Sequence, residues 1–460
     1  MKKKIVFFLL FVFILTSGFG CKLQSQEVKE GLQPITINYW RVWDGPDAFQ
    51  AVFDEYNKLH PNIQINYKKF RYEEYEEALL EALAEDRGPD IFSINAKWVN
   101  RYEPKITPMP KQISMVYPVV KGTIKEEILP ELKVQNSVSL SSIKNGFIDT
   151  VYYDVVLDNY DSQTKITEKK VYGLPLSVDT LAMYYNKDLL NNANISVLSE
   201  DWTSLIDDVK KLKRQNNRGD IIQAGVAMGT GNNIERSTDI LVALMKQNGA
   251  TVIDDNKVLF TQYSKERGVN PGIGAIKFYT DFANPAKDVY SWNTGMDNSL
   301  EMFANGKLAI MFGYSYHLPT IKAKAPKLNF AIKPFPQIKG SVKTQNVTDY
   351  WVETVSNKSK HVNEAWDLIQ FMTTIPANNK LYLDAAKRPA ALRVLIEGQK
   401  LDDELGVFAT QMLTAENWYR GNNSFVAEQA LADMVEAIVE GGDVEQEARI
   451  AVGKIQQTLR

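Results

Sequence analysis

Two indoles, a guanidinium and a carboxylate fall together in Trp40-Arg41-Val42-Trp43-Asp44. Flat rings cover the C–H faces of a polyhydroxylated molecule, while Asp and Arg exchange hydrogen bonds with its hydroxyls. Trp43 and Asp44 are the candidates in this cluster, with core packing of one indole as the alternative. Trp292 lies in the polar run Tyr290-Ser-Trp-Asn-Thr-Gly295 and is a second candidate for stacking on a ligand. Trp351 follows the polar stretch 339–349 and is a candidate to line a cleft. The three histidines, His60, His317 and His361, are scattered, and Cys21 is the single cysteine. That spacing offers no metal-ligand set and no disulfide, so neither a metal nor a cofactor is expected. Gly229-Thr-Gly-Asn-Asn233 lacks the Lys-Ser/Thr of a phosphate loop and reads as a loop before a helix. Asp44 and Asp179 could in principle serve as the two carboxylates of a glycoside hydrolase, but no motif fixes such a pair.

The elements that must position these groups follow from periodicity. Residues 35–40 alternate and are β-rich, 48–59 carry apolar residues at helical spacing, and 63–70 read as a strand. A helix with an acidic face over 72–84 and a buried strand over 91–94 complete a β-α-β-α-β order, which implies parallel strands covered by helices. Residues 143–159 read as helical and 161–170 as a polar surface loop. Further helices are expected through 212, over 240–246 and 274–282, and over 362–373 and 431–439, with a short apolar strand at 308–312. The chain has 460 residues, enough for two large lobes rather than one core. Its net charge of −3 gives no basic excess, so no nucleic-acid partner is expected.

Lys2, Lys3 and Lys4 precede an apolar run at 5–15, the layout of a secretory leader and too short for a membrane span. Cys21 directly follows Gly20, which resembles the lipobox of bacterial lipoproteins, although Gly18 stands where Leu is usual. The resemblance implies a lipid on Cys21. A leader cleaved nearby or an uncleaved anchor is the alternative.

Several segments, in order, resemble the extracellular solute-binding proteins of the maltose-binding type. They are Tyr39-Trp40 with Tyr56-Asn-Lys-Leu-His-Pro61, then Gly88-Pro-Asp-Ile91 with Trp98, then Tyr172-Gly-Leu-Pro-Leu-Ser-Val-Asp-Thr180 running on to Tyr185-Asn-Lys-Asp-Leu-Leu190. Asp201-Trp-Thr203, Phe303-Ala-Asn-Gly-Lys-Leu-Ala-Ile-Met311, Ala365-Trp366 and Gly441-Gly-Asp-Val-Glu445 follow. The resemblance implies an α/β, two-lobed periplasmic-binding-protein-like (type II) fold with a ligand cleft between the lobes. It implies that the loop with Asn95 and Trp98 faces the cleft, that Asp179 is a ligand-binding carboxylate, and that Tyr316 stacks on ligand. Trp98 could instead cap a core, Asp179 could cap the hinge, and the Tyr314 and Tyr316 rings could both be core.

The expected division is a signal peptide over 1–20 and a lipidated cysteine with its tether over 21–34. One lobe is expected from 35–177 plus 335–354 and the other from 181–332 plus 356–460. The expected function is capture of a solute, an oligosaccharide or other sugar, by a monomer held to the membrane through Cys21. The solute is passed to the permease subunits of an ABC importer. A binding protein for glycerol phosphate, polyamine or peptide is the alternative, as is a secreted glycan-binding or glycan-hydrolysing protein.

Overall fold

A computed structural model describes residues 25–121, 127–266 and 268–459. The leader and Cys21 lie outside the described residues. Among the described residues no helix is long and apolar enough to cross a membrane.

The β-α-β-α-β reading of the first hundred residues is realised. Strand Ile35–Val42 pairs in parallel with Ile63–Phe70 and with Ile91–Asn95. The intervening helices are Gln50–Leu59 and Tyr72–Ala84. Trp351–Val355 returns from far along the chain and adds antiparallel to the edge of Ile91–Asn95. A second sheet takes the order Arg214–Gln215, Ile221–Val226, Leu308–Gly313, Ala182–Asn186, Phe330–Pro334. Leu308–Gly313 is buried at every position, as a central strand covered on both faces must be.

Each sheet has its own apolar core. One gathers buried residues from Ile37 to Val178 and again from Tyr350 to Met412. The other gathers Leu181 to Val347 and then Leu405 to Leu459, leaving out Ala409 and Met412. Between the two cores a small sheet of Asp179–Thr180, Asn346–Asp349 and Ala415–Glu416 ties the crossing segments together.

This membership departs from the expected division. Phe335 and Val347 pack with the second core, and Ala365, Trp366, Tyr382 and Leu383 pack with the first. The physical reason is the strand Trp351–Val355, which delivers the following helices Val362–Thr373 and Pro376–Ala386 to the first sheet. Trp366 is wholly buried there and its indole N–H donates to the Thr107 carbonyl.

One hairpin replaces expected helix and loop, and a second ribbon lies where no element is predicted. Over 143–159 the helices are Leu140–Gly146 and Asp149–Val155, and the chain then turns into strand Val156–Asp161, paired with Ile166–Val171. Gln112–Lys121 pairs with Glu127–Asn136 in a second antiparallel ribbon.

Candidate ligand-binding cleft

The first strand of the first sheet ends in a buried charge cluster. Glu353, fully buried on the edge strand two places away, accepts from the Tyr39 hydroxyl at 2.6 Å and from Ser93 and Arg41. Arg41 also donates to Asp44 at 3.2 Å. Asp44 takes a second cation, Arg388, at 3.0 Å and the Tyr382 hydroxyl at 2.9 Å. Arg388 reaches it because the helix Pro376–Ala386 stops at Lys387, whose φ of 51° is left-handed and reverses the chain. Burial works against the Asp44 charge, but Arg388 and Arg41 outweigh it and hold its carboxyl below the usual range. Asp44 is thus spent on the first lobe's own frame, with 8% of its surface exposed.

That frame aims Trp43. The Asp44 N–H bonds to the Val42 carbonyl two residues back, and Trp43 between them has φ 68°. A left-handed tryptophan is strained and persists only where its surroundings fix it. The turn projects the indole off the strand end, 41% exposed. It stacks on Tyr72 at 5.1 Å and 20°, and across the cleft on Tyr316 at 5.9 Å and 13°. Tyr316 in turn stacks on Tyr314 at 5.6 Å. Four stacked rings therefore run from the first lobe to the second. Tyr314 is the buried end of the column, its hydroxyl donating to Asp239 at 2.8 Å.

Beside the column is a cavity of about 240 Å³, lined by Tyr72, Asn95, Trp98, Arg236, Asp349 and Glu428, among others. Asn95 caps the short helical turn that follows its strand and donates to Asp349 at 3.1 Å. The Trp98 indole packs on Trp351 at 5.4 Å, and its N–H crosses to the Ser424 hydroxyl at 3.0 Å. Trp351 also meets Tyr72 edge-on at 6.4 Å.

Lys97 is one charged link between the lobes, and the ion pair of Arg420 with the buried Asp154 at 2.6 Å is another. Its ammonium lies 2.6 Å from Glu428, 3.3 Å from Asp239 and 3.7 Å from Asp349. Burial lowers the affinity of Lys97 for its proton, yet Asp239 and Glu428 outweigh that and raise it. Arg236, left-handed at φ 58° at the start of helix Ser237–Gln247, pairs with Asp239 and lies 3.4 Å from Asp349. Asp239, although buried, is held well below the usual carboxylate range by Arg236 and Lys97.

Asp179 sits in the crossing sheet. It accepts from the Ser315 backbone at 2.8 Å, the Ser315 hydroxyl at 2.6 Å and the Thr180 backbone at 2.9 Å. Burial pushes its pKa up to about 6 against the opposing hydrogen bonds of Ser315.

The candidates therefore separate. Trp43 and Tyr316 meet face to face, Asn95 and Trp98 line the cavity, and Trp351 packs on Trp98 and Tyr72 without lining it. Asp44 and Asp179 are buried supports behind this surface. Trp292 is set apart: it is fully buried in the second core, with its N–H donating to Asn233 at 3.0 Å. The same Asn233 amide holds the carbonyls of Asn293 and Met296, so the loop is pinned with its indole inward. Lys97, Arg236, Asp239, Tyr72 and Glu428 are not singled out by the sequence. Only Lys97 carries a signal there, by lying between Asn95 and Trp98. The other partners come from helices remote in the chain.

Residues 43–379 match the family model of the bacterial extracellular solute-binding proteins. The chain belongs to that family. It is 25% identical over 248 residues to the multiple sugar-binding protein of Streptococcus mutans serotype c (strain ATCC 700610 / UA159), a match covering 53% of this chain and 56% of that protein. The match thus spans little more than half the length of that relative. Its fold is that of a cyclo/maltodextrin-binding protein complexed with maltotetraose, with TM-score 0.69, 16% identity and coverage of 93% and 98%. A cyclic alpha-maltosyl-1,6-maltose binding protein from Arthrobacter globiformis superposes with TM-score 0.68, 15% identity and coverage of 93% and 99%. The fold is the two-lobed α/β fold of sugar-binding receptors.

Proposed function

We propose that this protein captures a sugar, an oligosaccharide in particular, in the cleft between its lobes and delivers it to the permease of an ABC importer. On this reading it works outside the cytoplasm as a monomer, tethered to the membrane by a lipid on Cys21. The observation that carries the reading is the ring column Tyr72–Trp43–Tyr316–Tyr314 crossing the cleft beside a polar cavity. Once Trp43 and Tyr316 part, their flat apolar faces become available to a sugar, and the adjoining Asn95, Arg236 and Asp349 offer donors and acceptors for hydroxyls. Trp43, Tyr316, Trp98 and Trp351 form the proposed contact surface, with Asn95 among its polar groups. Asp44 and Asp179 hold that surface in place from behind.

The test is a titration of intrinsic tryptophan fluorescence with mono- and oligosaccharides, glycerol phosphates, polyamines and short peptides. A saturable change with one sugar class, matched by a rise in Tm, is expected. Saturation by a polyamine or peptide alone would overturn the sugar and leave the fold untouched.

A further inference from the structure

The ribbon Gln112–Lys121/Glu127–Asn136 has two unlike faces. Residues two apart on a strand share a face. Ile113 and Met115 point into the first core. The opposite face carries the cross-strand pairs Val116 with Leu132, Pro118 with Pro130, and Val120 with Ile128. None of these six side chains is polar.

Only the middle of this apolar face is covered, and what covers it is the start of the described chain. The helix Gln26–Gly31 lies over Val116, so closely that a Cβ at Gly31 would come within 2.5 Å of Val116 Cγ2. Towards the tip the face is open, with Val120 58% and Ile128 71% exposed. From Val116 to Val120 is about 14 Å along the strand. From Gly31, which makes this contact, the helix back to Ser25 adds about 9 Å and the four residues to Cys21 at most about 14 Å, so Cys21 is held within about 23 Å of Gly31. The open apolar strand end at Val120, about 14 Å beyond Val116, falls within the reach of a lipid on Cys21.

We propose that the outer face of this ribbon, at Val120 and Ile128, seats in the lipid surface next to the N-terminal anchor. The proposal rests on the reading that Cys21 is lipidated. A single tether fixes where a protein is held but not which way it faces. A second apolar contact beside the tether fixes the orientation of the first lobe. Lipid is favoured over a partner's strand as occupant because Pro118 and Pro130 have no N–H to offer a further ladder. Apolar side chains at such a surface sink into the boundary between headgroups and acyl chains.

The test uses the full chain, with Ile128→Cys labelled by an environment-sensitive dye. It is reconstituted in vesicles of phosphatidylethanolamine and phosphatidylglycerol carrying brominated acyl chains. Val197→Cys, in the other lobe and 71% exposed, is the reference position. Intact-mass measurement first determines whether Cys21 carries acyl chains. With the lipid present, the dye at 128 is expected to shift to the blue and be quenched by bromine, and the dye at 197 to do neither. Acylated protein whose dye at 128 behaves like that at 197 would overturn the seating while leaving the anchor intact. Protein with no acyl group on Cys21 would overturn the anchor, and the proposal with it.

Discussion

At the scale of single residues, Trp43 and Trp292 make opposite predictions although both are indoles in polar loops. Trp43 is exposed on a strained turn and buttressed by Tyr72. Removing it as Trp43→Ala is expected to weaken sugar binding about tenfold or more while leaving Tm nearly unchanged, since an aromatic contact carries about 0.5–1.5 kcal/mol beyond its buried area. Trp292→Phe removes the indole N–H donated to the half-buried Asn233, whose oxygen keeps the Thr230 hydroxyl. It is expected to cost about 0.5–1.5 kcal/mol in urea unfolding, with sugar affinity unaltered. Isothermal titration beside the unfolding curve separates the two. Asp179 makes a prediction about pH. Its folded pKa of about 6 lies above the ordinary 3.8, so the folded state holds the proton more tightly. Stability from this group is then greatest below pH 4 and declines as pH rises through the window from about 4 to about 6. Asp179→Asn should flatten that decline, by an amount of order 1–3 kcal/mol, when unfolding is followed across the window.

At the scale of elements, the loop after Ile91–Asn95 and the helices Ser237–Gln247 and Ser424–Val439 are joined by one ammonium. Lys97→Met would leave Asp239, Asp349 and Glu428 facing one another with only Arg236 among them. The lobes are expected to part, seen as a larger radius of gyration in solution scattering, with about 3–5 kcal/mol lost from the closed form. The same elements explain what is legible in the sequence. Strands with one buried face and helices with an apolar stripe announce themselves by period, as 35–40 and 362–373 do. The hairpin Val156–Asp161/Ile166–Val171 does not, because most of its side chains face water and its sequence is polar on both sides. The ring column is legible as separate candidates, Trp43 and Tyr316. Its other members and the Lys97 cluster are not, because their spacing in the chain, 142 residues from Lys97 to Asp239, carries no period. Trp292 misleads for the converse reason, since a polar loop can be folded inward by a single half-buried amide.

At the scale of the whole molecule, two cores meet along a small three-stranded crossing, and the lobes touch through the rings, the Lys97 cluster and the Arg420–Asp154 pair, among other contacts. Such a molecule opens by hinge motion, and a ligand favours closure only through interactions that the closed form alone provides. Sugar at one hundred times its Kd is expected to add about 2.7 kcal/mol to the stability of the folded protein, read as a rise in Tm that grows with the logarithm of concentration.

The stack of Trp43 on Tyr316 spends on one another the two faces that the proposed reading assigns to a sugar. On that reading, a solute that enters between these rings must first part them. The contact acts as a tenant competing for its own site. A solute with a flat apolar face replaces what it displaces, and one without such a face leaves both rings facing water. Selectivity then has a threshold built into the receptor itself, and the aromatic at 316 tunes it: Tyr316→Leu lowers the barrier to entry for every solute and narrows the advantage of the right one.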